Sequence, residues 1–391
     1  MRRRRAVLAL LLCAAFLTAP CPASGETDGG GSAPAGDESA LCVKEAPEVS
    51  AVGAVLFERD SKRMLAGVNE HAALPMASTT KIMTALLAVE CCDLDETVEV
   101  ADCAVGVGGS SIYLNRGETM SMRDLLYGLM LTSGNDAAVA IAVHIDGSVE
   151  AFSARMNARA AEIGCRDTCF ANPNGLPDDA HYTTAYDLGL IAATAMQNET
   201  FRTVVSTTYY QTTTGDYIRT FKNKNRLLWQ YEGGCGVKTG YTKAAGNCLV
   251  FSAERGGMTL VGVLLNAPER WKDAAALLDY GFASVSLKTL VDAERPLASV
   301  AVTGGEKKEL AVYPKEDILY PTAADGSDEI DWAFDAYDAI AAPVTAGQTV
   351  GELRLRVNGV TVKTVSLVVR EDAAAAGWID YFRRVLEDWA A

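Results

Sequence analysis

Ser78 and Lys81 stand three residues apart in Pro75-Met76-Ala77-Ser78-Thr79-Thr80-Lys81-Ile82-Met83-Thr84, the only Ser-x-x-Lys in the chain. On a helix, residues three apart share a face, so the spacing sets an amine beside a hydroxyl. A lysine whose charge is disfavoured by burial or by a second cation accepts a serine proton. Ser78 is therefore a candidate nucleophile and Lys81 its general base. A helix start adds free backbone N–H groups and the positive end of the helix dipole. Taken alone, the pair also fits an ordinary N-cap followed by a solvated first-turn lysine.

Two further clusters carry polar chemistry. Ser133-Gly134-Asn135 falls between two helical stretches, where these three residue types equally suit a connecting turn. Lys238-Thr239-Gly240 is expected at the end of a strand. It reads either as a strand end with a turn glycine or as a substrate-carboxylate site. In the second reading the cation and hydroxyl hold the carboxylate and Gly240 admits its backbone.

The elements that must position these residues are legible from periodicity. Residues 51–59 and 63–68 read as strands around the turn Asp60-Ser61-Lys62,. Apolar residues at Ile82, Met83, Leu86 and Leu87 recur with a helical period across 79–89, and 122–131 and 136–144 are also helical in character,. Residues 236–239, 248–253 and 259–265 are strand-like, with Arg255-Gly256-Gly257 as a hairpin turn,. Strands at both ends with helices between predict an α/β (α+β) domain over 42–283, its antiparallel sheet closed by both termini of the domain. From about Val291 to Glu371 short strands separated by Gly, Asp and Asn turns predict a smaller β-rich domain,. The tail, 373–391, predicts a helix with Trp378, Ile379, Phe382, Val385, Leu386 and Trp389 on one face,. That face suits a membrane interface or a docking place on protein, and its polar side carries no net positive charge.

Arg2 to Arg5 followed by the apolar run Ala6 to Ala19 predicts a secretory signal peptide over about 1–24; an uncleaved anchor is the alternative,. Residues 25–41, rich in Gly, Ser, Asp and Ala, read as a flexible linker, with order beginning near Cys42,. A formal charge of −15 argues against nucleic acid as a partner,. Of ten cysteines, Cys13 and Cys21 leave with the signal. Export permits disulfides among the rest, but sequence does not choose a pairing. Cys165 and Cys169 lack a second pair or a nearby histidine to complete a metal site, so buried thiols or one or two disulfides are expected and no metal or cofactor. His71, His144 and His181 lie outside the three clusters. His144, on an apolar helical run, is expected to be packed. No Gly-x-Ser-x-Gly elbow is present for a Ser-His-Asp hydrolase,.

In this order Ser-x-x-Lys, Ser-x-Asn and Lys-Thr-Gly resemble the three motifs of the penicillin-recognising serine enzymes. More narrowly, the chain resembles the low-molecular-weight D-alanyl-D-alanine carboxypeptidases from roughly Glu45 to Glu371. The supporting segments are Leu74 to Thr84, Asn172-Pro173-Asn174-Gly175-Leu176 with Tyr182 to Asp187, Asn225 to Trp229, Gly236 to Thr242, and the stretch around Ala346 to Gly351. The resemblance implies an antiparallel sheet with helices on both faces and a C-terminal β-domain. It implies that Ser78 attacks the bond between two terminal D-alanines of a peptidoglycan stem and forms an acyl-enzyme. Lys81 would take the serine proton, Ser133 would relay a proton to the leaving amine and Asn135 would bond the substrate backbone. Lys238 and Thr239 would hold the terminal carboxylate, with Gly240 beside them. Backbone N–H groups of Ser78 and Tyr241 would hold the oxyanion. β-Lactams would acylate Ser78, and the site of action would be extracytoplasmic, in the cell wall or at the outer face of the cytoplasmic membrane.

Three other readings share features with this one. A class A β-lactamase has the same motifs but deacylates through a glutamate, and 172–187 carries Asp178, Asp179 and Asp187 instead. Transpeptidation needs only an amine in place of water. A non-catalytic cell-wall scaffold would not need every motif residue to be present.

Overall fold

A computed structural model describes residues 46–215 and 217–379, together with Phe382 and Trp389. The expected signal peptide, linker and ordering near Cys42 lie outside these residues, as does most of the C-terminal tail.

The chain enters through β1 (Gly53–Glu58) and β2 (Met64–Val68), turning at Lys62 with φ +55°. A 3-10 turn, Ala77–Thr80, then leads into α1 (Lys81–Cys91). A short hairpin, β3 (Thr97–Glu99) with β4 (Thr119–Ser121), precedes the helices α2 (Met122–Leu131), α3 (Asn135–Asp146) and α4 (Val149–Ile163). Serines cap the starts of α2 and α4: Ser121 Oγ accepts from Asp124 N–H and Ser148 Oγ from Ala151 N–H,. Gly147 and Gly164 end α3 and α4 with φ of +76° and +105°,. Next come α5 (Ala185–Gln197), α6 (Glu199–Ser206), the pair β5 (Tyr209–Gln211) and β6 (Thr220–Lys222), and α7 (Leu227–Gln230). The return strands are β7 (Gly234–Thr242), β8 (Gly246–Arg255) and β9 (Met258–Leu265), followed by α8 (Arg270–Ser284).

Five of these strands form one antiparallel sheet in the order β2-β1-β9-β8-β7. Its first and last parts thus come from the two ends of the domain, as expected. Strand alternation sends Val55, Phe57, Val250, Val261 and Val263 into a core with the helices α1 to α6,. Leu56, Leu249, Phe251, Leu260 and Leu264 point the other way, into a second core with α8. Helices therefore cover both faces, and β7 is left as an edge. The β8–β9 hairpin turns through Gly256 and Gly257, both at positive φ, in the two-residue loop expected there,.

From α8 to Val369 the chain forms strands: β10 (Val285–Val291), β11 (Ala298–Thr303), β12 (Glu309–Pro314), β13 (Ile318–Ala323), β14 (Ile330–Ala336), β15 (Ala339–Ala341), β16 (Thr349–Val357) and β17 (Val360–Val369). Six of them form a sheet, β14-β16-β17-β12-β11-β15, while β10 pairs with β13. Alternating residues such as Leu353, Leu355, Val357, Val365 and Leu367 fill a separate core. A buried ion pair ties this region to β2: Arg63 donates to both carboxylate oxygens of Asp328, at 2.6 and 2.8 Å, and to Pro321 O at 2.7 Å.

The cysteine expectation of buried thiols or disulfides is met in part. Cys169 is disulfide-bonded, and among the free thiols Cys91 and Cys103 are exposed and only Cys248 is fully buried. His144 is likewise not a packed residue: it is exposed in the last turn of α3, with Nε2 3.0 Å from a Glu96 carboxylate oxygen.

Candidate active site

The 3-10 turn at Ala77–Thr80 sets the geometry of Ser78. Ala77 holds φ at +48°, a strained value for a residue with a side chain,. Side chains hold the strain in place: Thr79 Oγ1 donates to Met76 O at 2.6 Å and Thr80 Oγ1 to Ala77 O at 2.8 Å. His181 backs Thr80, with Nε2 2.7 Å from Thr80 Oγ1. Ala171 N–H donates to His181 Nδ1 at 3.0 Å, which leaves the ring proton on Nε2,. Burial pushes the imidazole down to about 4, so it stays neutral in this role,.

Lys81 is fully buried at the start of α1. Its Nζ lies 3.2 Å from Ser78 Oγ and donates to Asn135 Oδ1 at 2.6 Å and to the carbonyl of Asn174. Burial first, then the charges of Lys238 and Lys224, hold the amine well below the ordinary lysine range; Asp136 opposes them,. Asn135 is in turn fixed from outside, Nδ2 donating to Gly108 O at 2.6 Å and the backbone N–H to Ser110 O at 2.7 Å. Its side chain thus links Lys81 to the 108–110 loop, with a second Nδ2 proton still free to donate,. Ser133 sits in the α2–α3 connection at φ +68°. Its hydroxyl is buried and has no hydrogen-bond partner among the described residues, a position for a buried polar group that functional sites account for.

Lys238, Thr239 and Gly240 lie in the middle of β7, which runs on to Thr242, rather than at a strand end. The edge position of β7 explains the difference: its unpaired side faces the Ala77–Thr80 turn, so the sheet ladder to β8 continues undisturbed. A Cβ on Gly240 would stand 3.2 Å from Ala77 Cβ, Met76 O and Ser78 N. The close approach at this glycine is therefore made by the chain's own turn. Lys238 is buried and donates to Thr239 O at 2.9 Å; burial, Lys224 and Arg270 bring it down to about 7. Thr239 is half-buried and Tyr241 exposed. Next to Thr132 opens a cleft of about 670 Å³ whose lining includes Lys222, Lys224, Arg226 and Trp229.

One serine, two buried lysines and an edge strand thus converge, in a chain whose sequence and fold are shared with known proteins. The family model described as D-alanyl-D-alanine carboxypeptidase matches residues 41–269, more than half the chain. The chain belongs to this D-alanyl-D-alanine carboxypeptidase family. Residues 286–375 match the penicillin-binding protein 5 C-terminal domain. Across 355 residues the carboxypeptidase is 35% identical to D-alanyl-D-alanine carboxypeptidase DacF of Bacillus subtilis, covering 87% of this chain and 90% of that one. Penicillin binding protein 5 from Haemophilus influenzae superposes with a TM-score of 0.70 at 27% identity, over 84% of this chain and 99% of that one. The Streptomyces K15 DD-transpeptidase gives 0.58 at 38% identity, over 61% of this chain and 99% of that one. The protein is accordingly a D-alanyl-D-alanine carboxypeptidase, a hydrolase of the bacterial cell wall.

Several residues outside the three motifs support the carboxypeptidase site. Asn174 contributes only its carbonyl. Gly175, at φ +84°, brings that loop so close that a Cβ would lie 1.9 Å from Ala77 O. Thr84 Oγ1 anchors the same loop by donating to Pro173 O at 2.6 Å. Asp136 accepts from Ser111 Oγ and from the Ile112 and Leu114 N–H groups, at 2.5, 3.0 and 3.1 Å, and so orders the loop that holds Asn135. Arg270 donates to Gly240 O at 3.1 Å and Cys248 O at 3.3 Å, buttressing β7. Lys224 donates to Thr132 O at 2.7 Å, beside Ser133.

Proposed function

We propose that the carboxypeptidase works as a serine acyl-transfer enzyme, with Ser78 as nucleophile and Lys81 as its base. The observation that carries this is the surroundings of the Lys81 amine. A neutral amine has two N–H groups and one lone pair. Asn135 Oδ1 and Asn174 O take the two donors, and the lone pair is left for the Ser78 hydroxyl 3.2 Å away. Ser78 Oγ then attacks the carbonyl between the two terminal D-alanines of a stem peptide while its proton passes to Lys81. The oxyanion is held by the N–H groups of Ser78 and Tyr241. As the C–N bond breaks, the proton reaches the leaving amine through Ser133, whose unpartnered hydroxyl supports this part. Lys238 and Thr239 hold the terminal carboxylate, which selects free chain ends. Asn135 bonds the substrate backbone while fixing Lys81. Water hydrolyses the ester and releases the shortened stem.

β-Lactams, as mimics of the dipeptide, acylate Ser78. At the place a class A β-lactamase gives to its glutamate, the 172–176 loop offers Lys81 a backbone carbonyl, which favours slow deacylation of the drug. The site of action is extracytoplasmic. Among the described residues no single helix is long and apolar enough to cross a membrane. Trp378, Ile379, Phe382 and Trp389 are exposed, which supports peripheral contact of the C-terminal segment with the membrane surface.

The test pairs wild type with Ser78→Ala, using a fluorescent penicillin and D-alanine release from diacetyl-Lys-D-Ala-D-Ala. Both labelling and release are expected to vanish in the variant. Rapid loss of label without D-alanine release would assign a β-lactamase instead, and an unlabelled wild type a scaffold. Consumption of the peptide with transfer to an added amine would assign the transpeptidase chemistry named for the Streptomyces K15 enzyme.

A further inference from the structure

Two helices that begin in the active site end together elsewhere. Helix α1 starts at Lys81 and α3 at Asn135, the pair joined by a 2.6 Å hydrogen bond. At their far ends stand Cys92, which caps α1, and His144, in the last turn of α3. Glu96, in the loop between α1 and β3, lies between them. The Cys92 sulfur, a Glu96 carboxylate oxygen and a His144 ring nitrogen all lie within 4.8 Å of one another. Eleven residues of α1, at about 1.5 Å each, put this cluster about 16 Å along the helix from Lys81,.

We propose that Cys92, Glu96 and His144 form a binding site for one zinc-like divalent cation that clips the C-terminal ends of α1 and α3 together. The donor chemistry selects the ion. Thiolate, imidazole and carboxylate together suit zinc, whereas magnesium and calcium take oxygen donors alone. Zinc bonds of about 2.0–2.3 Å hold tetrahedral donors about 3.3–3.8 Å apart, so small side-chain rotations close the cluster onto an ion. His144 is partly exposed, with 29% of its side chain accessible, which leaves a fourth position for water. The surroundings favour a cation as well. Two helix C-termini point their negative dipole ends here. The segment Glu90-Cys91-Cys92-Asp93-Leu94-Asp95-Glu96 is acidic. Its nearby arginines are already engaged: Arg123 pairs with Asp95, Arg159 with Glu90 and Arg155 with Asp146. On binding, the Cys92 proton passes to water and the thiolate joins the metal. The clip is a structural device remote from Ser78 and requires nothing of the acyl-transfer chemistry.

The full chain, stripped of metal by chelator, would be titrated with cobalt(II) as a spectroscopic stand-in for zinc. One equivalent is expected to produce a thiolate-to-cobalt charge-transfer band, which zinc then abolishes. Cys92→Ala should lose the band, and His144→Ala and Glu96→Gln should weaken cobalt binding at least about tenfold, the least that loss of a supporting partner costs a metal site. Zinc should raise the melting temperature of the wild type but not of His144→Ala, an exposed change that leaves the metal-free fold intact. A cobalt spectrum without the thiolate band would overturn the site. So would a band that survives Cys92→Ala and follows Cys91, or equal zinc stabilisation of wild type and His144→Ala.

Discussion

The charges of Lys238 and Lys224 act on a Lys81 already stripped of water, and so favour its neutral form,. In the proposed mechanism Lys238 does the opposite and carries charge to hold a carboxylate, although burial, Lys224 and Arg270 bring it to about 7. The proposed mechanism therefore gives kcat/KM one limb that rises with pH as Lys81 loses its proton and one that falls as pH passes upward through about 7 and Lys238 loses its own,. Lys238→Arg keeps the guanidinium charged throughout. In that variant the alkaline limb should shift upward by more than a pH unit while the acid limb remains, whatever the drop in absolute rate. A pH profile of D-alanine release decides it: an unmoved alkaline limb would assign that limb to another group. At this scale the sequence was readable because the candidate site's side chains sit at fixed local spacings. Ser78 and Lys81 are three apart on one turn, and Lys238, Thr239 and Gly240 are consecutive. Arg270, Lys224 and the Asn174 carbonyl were not, because they reach the site only through the fold. A backbone carbonyl carries no residue signature at all.

Helices and strands were visible because each has an apolar period, and α2 and the β8–β9 hairpin lie where their patterns put them. The strand carrying Lys238 was cut short because a lysine, a threonine and a glycine look like a strand end. What extends it to Thr242 is its ladder with β8, a long-range pairing. The fit between the 172–176 loop, the Ala77–Thr80 turn and β7 was also invisible, and it yields a graded prediction. Gly175→Ala forces a Cβ to within 1.9 Å of a backbone oxygen at a φ of +84°. Gly240→Ala meets neighbours at 3.2 Å with no such backbone strain. The first should cost about 3 kcal/mol or more and nearly abolish penicillin labelling, since the turn must move. The second should cost about 1–2 kcal/mol, with labelling slowed but present. Melting curves and labelling rates on both variants check the order; equal effects would mean that the turn yields more readily than its contacts imply.

At the scale of the whole molecule, a catalytic region and a β-rich region have separate cores yet share a buried charge pair. Arg63, just before β2, and Asp328, next to β14, leave only 2% and 4% of their side chains exposed. The pair is well supported. Asp328 also accepts from Ala323 N–H at 2.6 Å and Asn358 Nδ2 at 3.2 Å, and Arg63 lies against the Tyr320 ring. Removing one partner of a buried pair leaves the other charge without compensation, at a cost of about 3–5 kcal/mol. Here the loss falls on the coupling between two regions, because neither core loses an apolar contact. Asp328→Ala should therefore separate or broaden the calorimetric melting transition, its first step falling to lower temperature. Penicillin labelling at 25 °C should stay within about twofold of wild type, since Ser78 and Lys81 depend on elements of the catalytic region alone. Replacing both partners, Arg63→Met with Asp328→Leu, should recover part of the lost cooperativity, because it removes the stranded charge while leaving the Ala323 N–H unpaired. A single unshifted transition in Asp328→Ala would show that the two regions are held together by their apolar and backbone contacts, with the ion pair contributing orientation alone.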